Sequence, residues 1–152
     1  MTSDTTKQDL YNQCVDYVQQ RINTAKLAME AAQESANSES KSSAGDKYET
    51  GRAMAQLERD RHAQLLAQAR KMEHELTRLN VGKAYETVQP GSLVTTNRGV
   101  FFISISAGKL AIAGTDYFAV SPASPVATAL SGHKVGDAVT FNTVVYQIVS
   151  VF

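Results

Sequence analysis

The chain has one cysteine, no tryptophan and three prolines in 152 residues. With Cys14 alone no intramolecular disulfide can form, so nothing points to an oxidising, exported setting. No apolar run approaches the length of a membrane span, and residues 1–7 lack the apolar segment of a signal peptide. Cytoplasmic residence without a membrane partner is the expectation. Neither sign of charge dominates, since Lys+Arg and Asp+Glu both total 15. The net charge therefore signals no polyanionic or lipid partner. No proline precedes Pro90, which leaves a long N-terminal stretch free of helix breakers.

Apolar residues make up 43% of the chain and charged residues 20%, a soluble globular composition. The length suits one ordinary domain or two small ones. Residues 1–80 carry 23 of the 30 charges (11 basic, 12 acidic), whereas 81–152 carry 7. A solvated, charge-laced element is followed by a compact one.

From Tyr11 the apolar positions run Tyr11, Val15, Val18, Ile22, Ala25, Met29, Ala32 and Ala36. The alternating four-and-three spacing predicts a coiled-coil seam that narrows to alanine. A second pattern holds Met54, Leu57, Leu65, Ala69, Met72, Leu76 and Leu79, with Arg61 standing at a seam position and a stutter across 57–65. The polar, small stretch 37–45 lies between them and reads as the reversal. Two antiparallel helices of about 30 residues each give a hairpin of about 45 Å at 1.5 Å per residue. Such a hairpin also suits half of a helical bundle or a dimerisation coiled coil.

After Leu79 the period changes to two. Gln89-Pro90-Gly91 ends helical structure. Strands are expected over 92–96, 100–106, 110–113, 117–120, 138–142 and 144–151. Ser124 suits an N-cap, Pro125 the first helical position and Gly132 the left-handed stop, which predicts a short helix over 125–131. The fold class is α+β: a helical hairpin over 1–82 with its tip at 42–52, then a small antiparallel β domain with one short helix over 86–152.

Two stretches carry a resemblance to the Gre family of bacterial transcript-cleavage factors. At the tip, Gly45-Asp46-Lys47-Tyr48-Glu49 is similar to the family's Gly-Asp-x-x-Glu motif. In the second domain, Ser124, Pro125, Leu130, Gly132, Gly136 and Asp137 resemble its Ser-Pro helix, Leu-x-Gly and Gly-Asp pattern. The order and architecture agree over nearly the whole chain. Thr50-Gly51-Arg52 after Glu49 departs from the family's usual tip and marks a divergent branch.

The resemblance implies a coiled coil followed by an FKBP-like domain. It further implies a factor that binds RNA polymerase and reaches the RNA 3′ end only indirectly. The hairpin would enter the polymerase's secondary channel and bring Asp46 and Glu49 to an Mg²⁺ ion shared with the polymerase. Backtracked RNA would then be hydrolysed by the polymerase, not by this chain, which is expected to be a monomer and not itself an enzyme. The second domain, with Ser124, Pro125, Gly132, Gly136 and Asp137 as candidate docking residues, would stay at the channel rim. Two other readings are a regulator or inhibitor that occupies the channel without promoting cleavage, and a structural or adaptor coiled coil.

Several residues carry two readings. Asp46-Lys47-Tyr48-Glu49 is also a capping box for the second helix. Lys41, Lys47 and Arg52 could meet RNA phosphates or polymerase carboxylates, or only solubilise an exposed turn. Tyr48 could stack on a base or pack locally. His62, His74 and His133 have no metal-ligand spacing and read as surface residues. Cys14, beside the seam, reads as a small buried apolar residue. Prolyl isomerase activity is discounted: a fold does not carry a function, and no tryptophan is present to floor such a pocket.

Overall fold

The computed structural model describes the backbone of residues 3–40 and 46–152, and side chains over 4–38 and 49–152. Helix α1 spans Ser3–Ser40 and helix α2 spans Asp46–Thr77. Six strands follow: β1 Leu93–Thr96, β2 Gly99–Ile103, β3 Gly108–Ile112, β4 Thr115–Val120, β5 Ala138–Phe141 and β6 Val144–Val151. Helix α3, Pro125–Leu130, precedes β5. The α+β class expected from the change of period is the observed one.

The chain divides into two compact units. One comprises residues 1–17 and 74–152, the other residues 18–73. In the first, the sheet order is β3-β4-β2-β1-β6-β5. All neighbours are antiparallel except β2 and β4, which run parallel with Phe101 beside Phe118. The antiparallel β domain expected from the sequence is thus observed, with one parallel pairing inside it. The β3–β4 hairpin folds β3 to the outside, so β4 returns beside β2 in the same direction.

Both faces of this sheet are covered. Leu93 pairs with Phe102 and Val94 with Phe101, and alternate residues point to opposite faces. Val94, Phe101, Ile103, Val139 and Ile148 join Val88 and the α3 residues Ala127 and Leu130 in one buried cluster. Phe102 and Ser104 face the other way and are also buried. There the start of α1 supplies Leu10 and Cys14, both fully buried, and Cys14 Sγ lies 3.8 Å from Ser104 Oγ. Tyr11 Oη donates to the Leu76 carbonyl at 3.3 Å.

In the second unit two helices run in opposite directions, since Gln19 Nε2 donates to Glu73 Oε2 at 2.7 Å and Arg59 Nη1 to Gln33 Oε1 at 3.2 Å. The α1 seam follows expectation, with Val18, Ile22, Ala25 and Ala36 buried. The stretch 37–40, expected as connecting chain, continues α1. Helix propensity of Ser and Asn is only a weak prior, and extending an existing helix fixes fewer dihedrals per hydrogen bond than starting one.

Helix α2 differs more. Met54, Leu57 and Leu65, expected in the seam, are 58%, 63% and 45% exposed. The more covered positions are instead Ala55, Arg59, His62, Leu66, Ala69 and Glu73, spaced four and three without a stutter. Of the adjacent leucines 65 and 66, the second is the one turned inward. Small side chains at 55 and 69 let the helix axes approach. The Arg59 stem lies along the seam while its guanidinium finds Gln33.

Candidate functional site

The tip candidates are placed by the start of α2. Asp46 is its first residue, so positions 46 and 49 lie about one turn apart along the helix backbone. Lys41 lies outside the described residues, and so do the side chains of Asp46, Lys47 and Tyr48. Glu49 and Arg52 are exposed on the first two turns. Gly51, part of the departing tip, lies within the helix's regular span.

Among the described residues no group of three or more His, Cys, Asp or Glu side chains could hold a metal ion. Carboxylate oxygens are the donors Mg²⁺ takes, usually one or two of them with waters and phosphate oxygens filling the octahedron. The residue types at 46 and 49 fit that donor class.

The candidates of the second domain lie in one segment, and each has a local partner. Ser124 caps α3, its Oγ accepting from the Ala127 N–H at 3.3 Å, and Pro125 occupies the first helical position. Gly132 has φ +80 and its N–H donates to the Val88 carbonyl at 2.8 Å. Gly136 has φ +92 and donates to the Ile148 carbonyl at 2.9 Å. The positive φ at both positions suits glycine.

Asp137 Oδ2 accepts from the Lys134 N–H at 3.0 Å and lies 3.1 Å from His133 Nδ1. The Lys134 backbone donor, then His133, holds its carboxyl below the ordinary carboxylate range. Together these contacts close the 131–137 turn against Val88 and β6. They account for these residues at their positions without a partner molecule.

The residue that sequence reasoning missed is Lys7. Its side chain is fully buried. Nζ donates to the carbonyls of Lys83 at 2.8 Å and Phe152 at 3.1 Å, and lies 5.0 and 5.1 Å from the ring centroids of Tyr85 and Phe152. Burial pulls its pKa down from 10.5 to about 8, against the raising effect of Asp4. The spacing 7-10-14, one helical stripe with Leu10 and Cys14, was the available signal. A lysine at its head is normally read as solvent-facing.

No family model matches the chain, and no curated protein does. Among solved structures it is similar to that of the transcription factor Gfh1. Identity is 20%, over 93% of this chain and 92% of that chain, with a TM-score of 0.33. No helix among the described residues is long and apolar enough to cross a membrane.

Proposed function

We propose that the chain is an RNA polymerase-binding factor that inserts its helical hairpin into the polymerase's secondary channel and promotes cleavage of backtracked RNA. The observation that carries this reading is the Asp-x-x-Glu spacing at the head of α2. It follows the reversal between two long helices, with Glu49 exposed. An adaptor coiled coil needs no carboxylate pair there.

In this reading Asp46 and Glu49 supply oxygens toward an Mg²⁺ ion that the polymerase also holds, Asp46 as the closer ligand and Glu49 positioning metal or water. Such an ion lowers the pKa of bound water and offsets charge on a phosphate under attack. The chain itself is not an enzyme. Its acids complete a site that belongs to its partner, and Arg52, Lys41 and Lys47 are the cations available to RNA phosphate or polymerase carboxylates.

The test separates chemistry from capping. Asn caps a helix about as well as Asp, and Gln can replace Glu in a capping box. Asp46→Asn with Glu49→Gln should keep helix content and thermal midpoint while removing both negative charges. RNA cleavage in stalled complexes with the cognate polymerase should fall by orders of magnitude, with polymerase binding retained. Normal cleavage by the double variant would show that the tip acids are structural only. If the native chain binds stalled complexes but never shortens RNA, it is a channel regulator, a reading favoured by the departing Thr50-Gly51-Arg52 tip.

A further inference from the structure

The two hydrogen bonds that cross the hairpin share one register. Gln19 and Gln33 stand two heptads apart on α1, and their partners Glu73 and Arg59 stand two heptads apart on α2. In that register the two repeats meet layer by layer, Ile22 with Ala69, Met29 with His62 and Ala36 with Ala55. Carried onward, it sets Ser40, the last residue of α1, opposite Gly51. Helix α2 begins at Asp46, so its first turn runs past the end of α1 by about 7.5 Å at 1.5 Å per residue. Glu49 stands on that projecting turn.

What holds this stagger changes along the hairpin. Toward the base the seam has Val18, Ile22 and Leu66, knobs large enough to fix a register. Beyond Met29 it has Ala32, Ala36 and Ala55, small knobs that resist sliding little, and Arg59. A polar chain crosses the hairpin there. Gln33 Nε2 donates to Asn37 Oδ1 at 3.2 Å, and Arg59 Nη1 donates to Gln33 Oε1 at 3.2 Å. Arg59 Nε and Nη2 donate to Asp60 Oδ1 at 3.2 and 2.6 Å. Asn37 and Asp60 thus orient the amide and the guanidinium that meet.

We propose that Gln33 and Arg59 are positioning residues for the tip: their bond fixes the stagger that carries the first turn of α2, with Glu49, past the end of α1. The pair touches no reacting atom and acts through the α2 backbone. A polar residue at a seam position specifies register at a cost in stability, because sliding leaves it without its partner. Sliding α2 by one heptad sets Arg59 opposite Lys26 in one direction, a pair of like charges, and Gln33 opposite Leu66 in the other. The bond is partly exposed and weak by itself. It decides the register because the alanine layers around it oppose sliding so little. The use of this stagger in RNA cleavage rests on the function proposed above, whereas the stagger itself does not.

The test measures the stagger directly in the full chain. Spin labels at Asn23→Cys and Ala53→Cys, both exposed, in a Cys14→Ala background report it by double electron–electron resonance. The two positions lie about 22 Å apart along the hairpin axis at 1.5 Å per residue, and one narrow distance is expected. Gln33→Leu with Arg59→Leu should hold or raise the thermal midpoint, as apolar replacement of a paired polar contact often does. The same variant should broaden the distance, with displacements of up to about 10 Å, the rise of one heptad. Gln33→Arg with Arg59→Gln rebuilds the pair in reverse and should restore the narrow distance. RNA cleavage in stalled complexes should fall in the leucine variant in proportion to the molecules that have lost the native distance, and recover in the reversed pair. An unchanged narrow distance in the leucine variant overturns the proposal. So does a reversed pair that stays broad, or cleavage at the native rate despite broadening. Broadening in a protein whose native chain never cleaves RNA upholds the stagger and refutes the cleavage reading instead.

Discussion

Stability should rise with pH in a window where proteins usually gain nothing, because of Lys7. Its ammonium is fully buried, held by two carbonyls and two aromatic rings. Burial lowers its pKa from 10.5 to about 8. Between those values the unfolded chain binds more protons than the native one, so unfolding free energy increases with pH. The full shift corresponds to about 3 kcal/mol at 1.36 kcal/mol per unit. Cys14 acts in the opposite sense. Burial raises its thiol pKa from 9.0 to about 11, against a lowering hydrogen bond from Ser104. The native state then keeps a proton the unfolded state releases, and stability falls as pH rises across that range. In the native sequence the two slopes nearly cancel from pH 9 to 10.5, leaving a net gain from pH 8 to 9. In Cys14→Ala the gain should continue toward pH 10.5, and in Lys7→Met it should vanish. Urea unfolding followed by circular dichroism at a series of pH values measures all three. A flat or falling profile for Cys14→Ala, or an unchanged rise in Lys7→Met, would refute the reasoning.

Two further outcomes test the packing. Asn142 and Thr143 join β5 to β6 with φ of 51 and 64, the paired positive φ of a type I′ hairpin turn, for which Asn-Gly is preferred and a β-branched residue is strained. Thr143→Gly should stabilise by about 1 kcal/mol and raise the melting temperature in calorimetry. Leu10→Ala should cost about 3 kcal/mol as a buried truncation. Leu57→Ala, at an exposed position, should change stability by about 0.5 kcal/mol or less; equal costs in chemical denaturation would contradict the α2 register described here.

Much of the fold was legible because local chemistry and tertiary packing agree over most of it. Ser124, Pro125 and Gly132 bounded α3 to within a residue of its observed span, since caps and stops act within one turn. The strands on either side of the Asn97-Arg98 turn also followed from local residue types. The parallel β2–β4 pairing was not legible. No residue in either strand encodes its neighbour, and only placing β3 at the edge forces β4 beside β2. The burial of Lys7 was hidden for a related reason. It depends on Lys83, Tyr85 and Phe152, which lie 76 or more positions away, and on free carbonyls that no residue type advertises. At the candidate site the acid spacing was plain in the sequence, and the α2 backbone carries it from its first residue. The segment around Ser124, Gly132, Gly136 and Asp137 was equally plain as a pattern, but its contacts are those of a closed turn.

The α2 seam shows where reading by size of side chain fails. Large apolar residues at 54, 57 and 65 draw the seam toward themselves and require a stutter at Arg61. The adjacent leucines 65 and 66 are the fork, because size alone cannot choose between them. Taking Leu66 gives an unbroken four-and-three repeat, but only if Arg59, His62 and Glu73 are accepted as seam residues. The observed helix does this, turning Ala55, Leu66 and Ala69 inward with those three. Alanines at 25 and 36 on α1 and at 55 and 69 on α2 favour a short distance between the axes, which leaves little room for a large side chain at every layer. Hydrogen bonds from Arg59 to Gln33 and from Gln19 to Glu73 then satisfy polar members at little desolvation cost, because their ends reach the edge of the contact. This gives a hairpin held as much by an uninterrupted repeat and edge polarity as by apolar bulk. Met54, Leu57 and Leu65 are left on the exposed face of α2, where their size costs the repeat nothing.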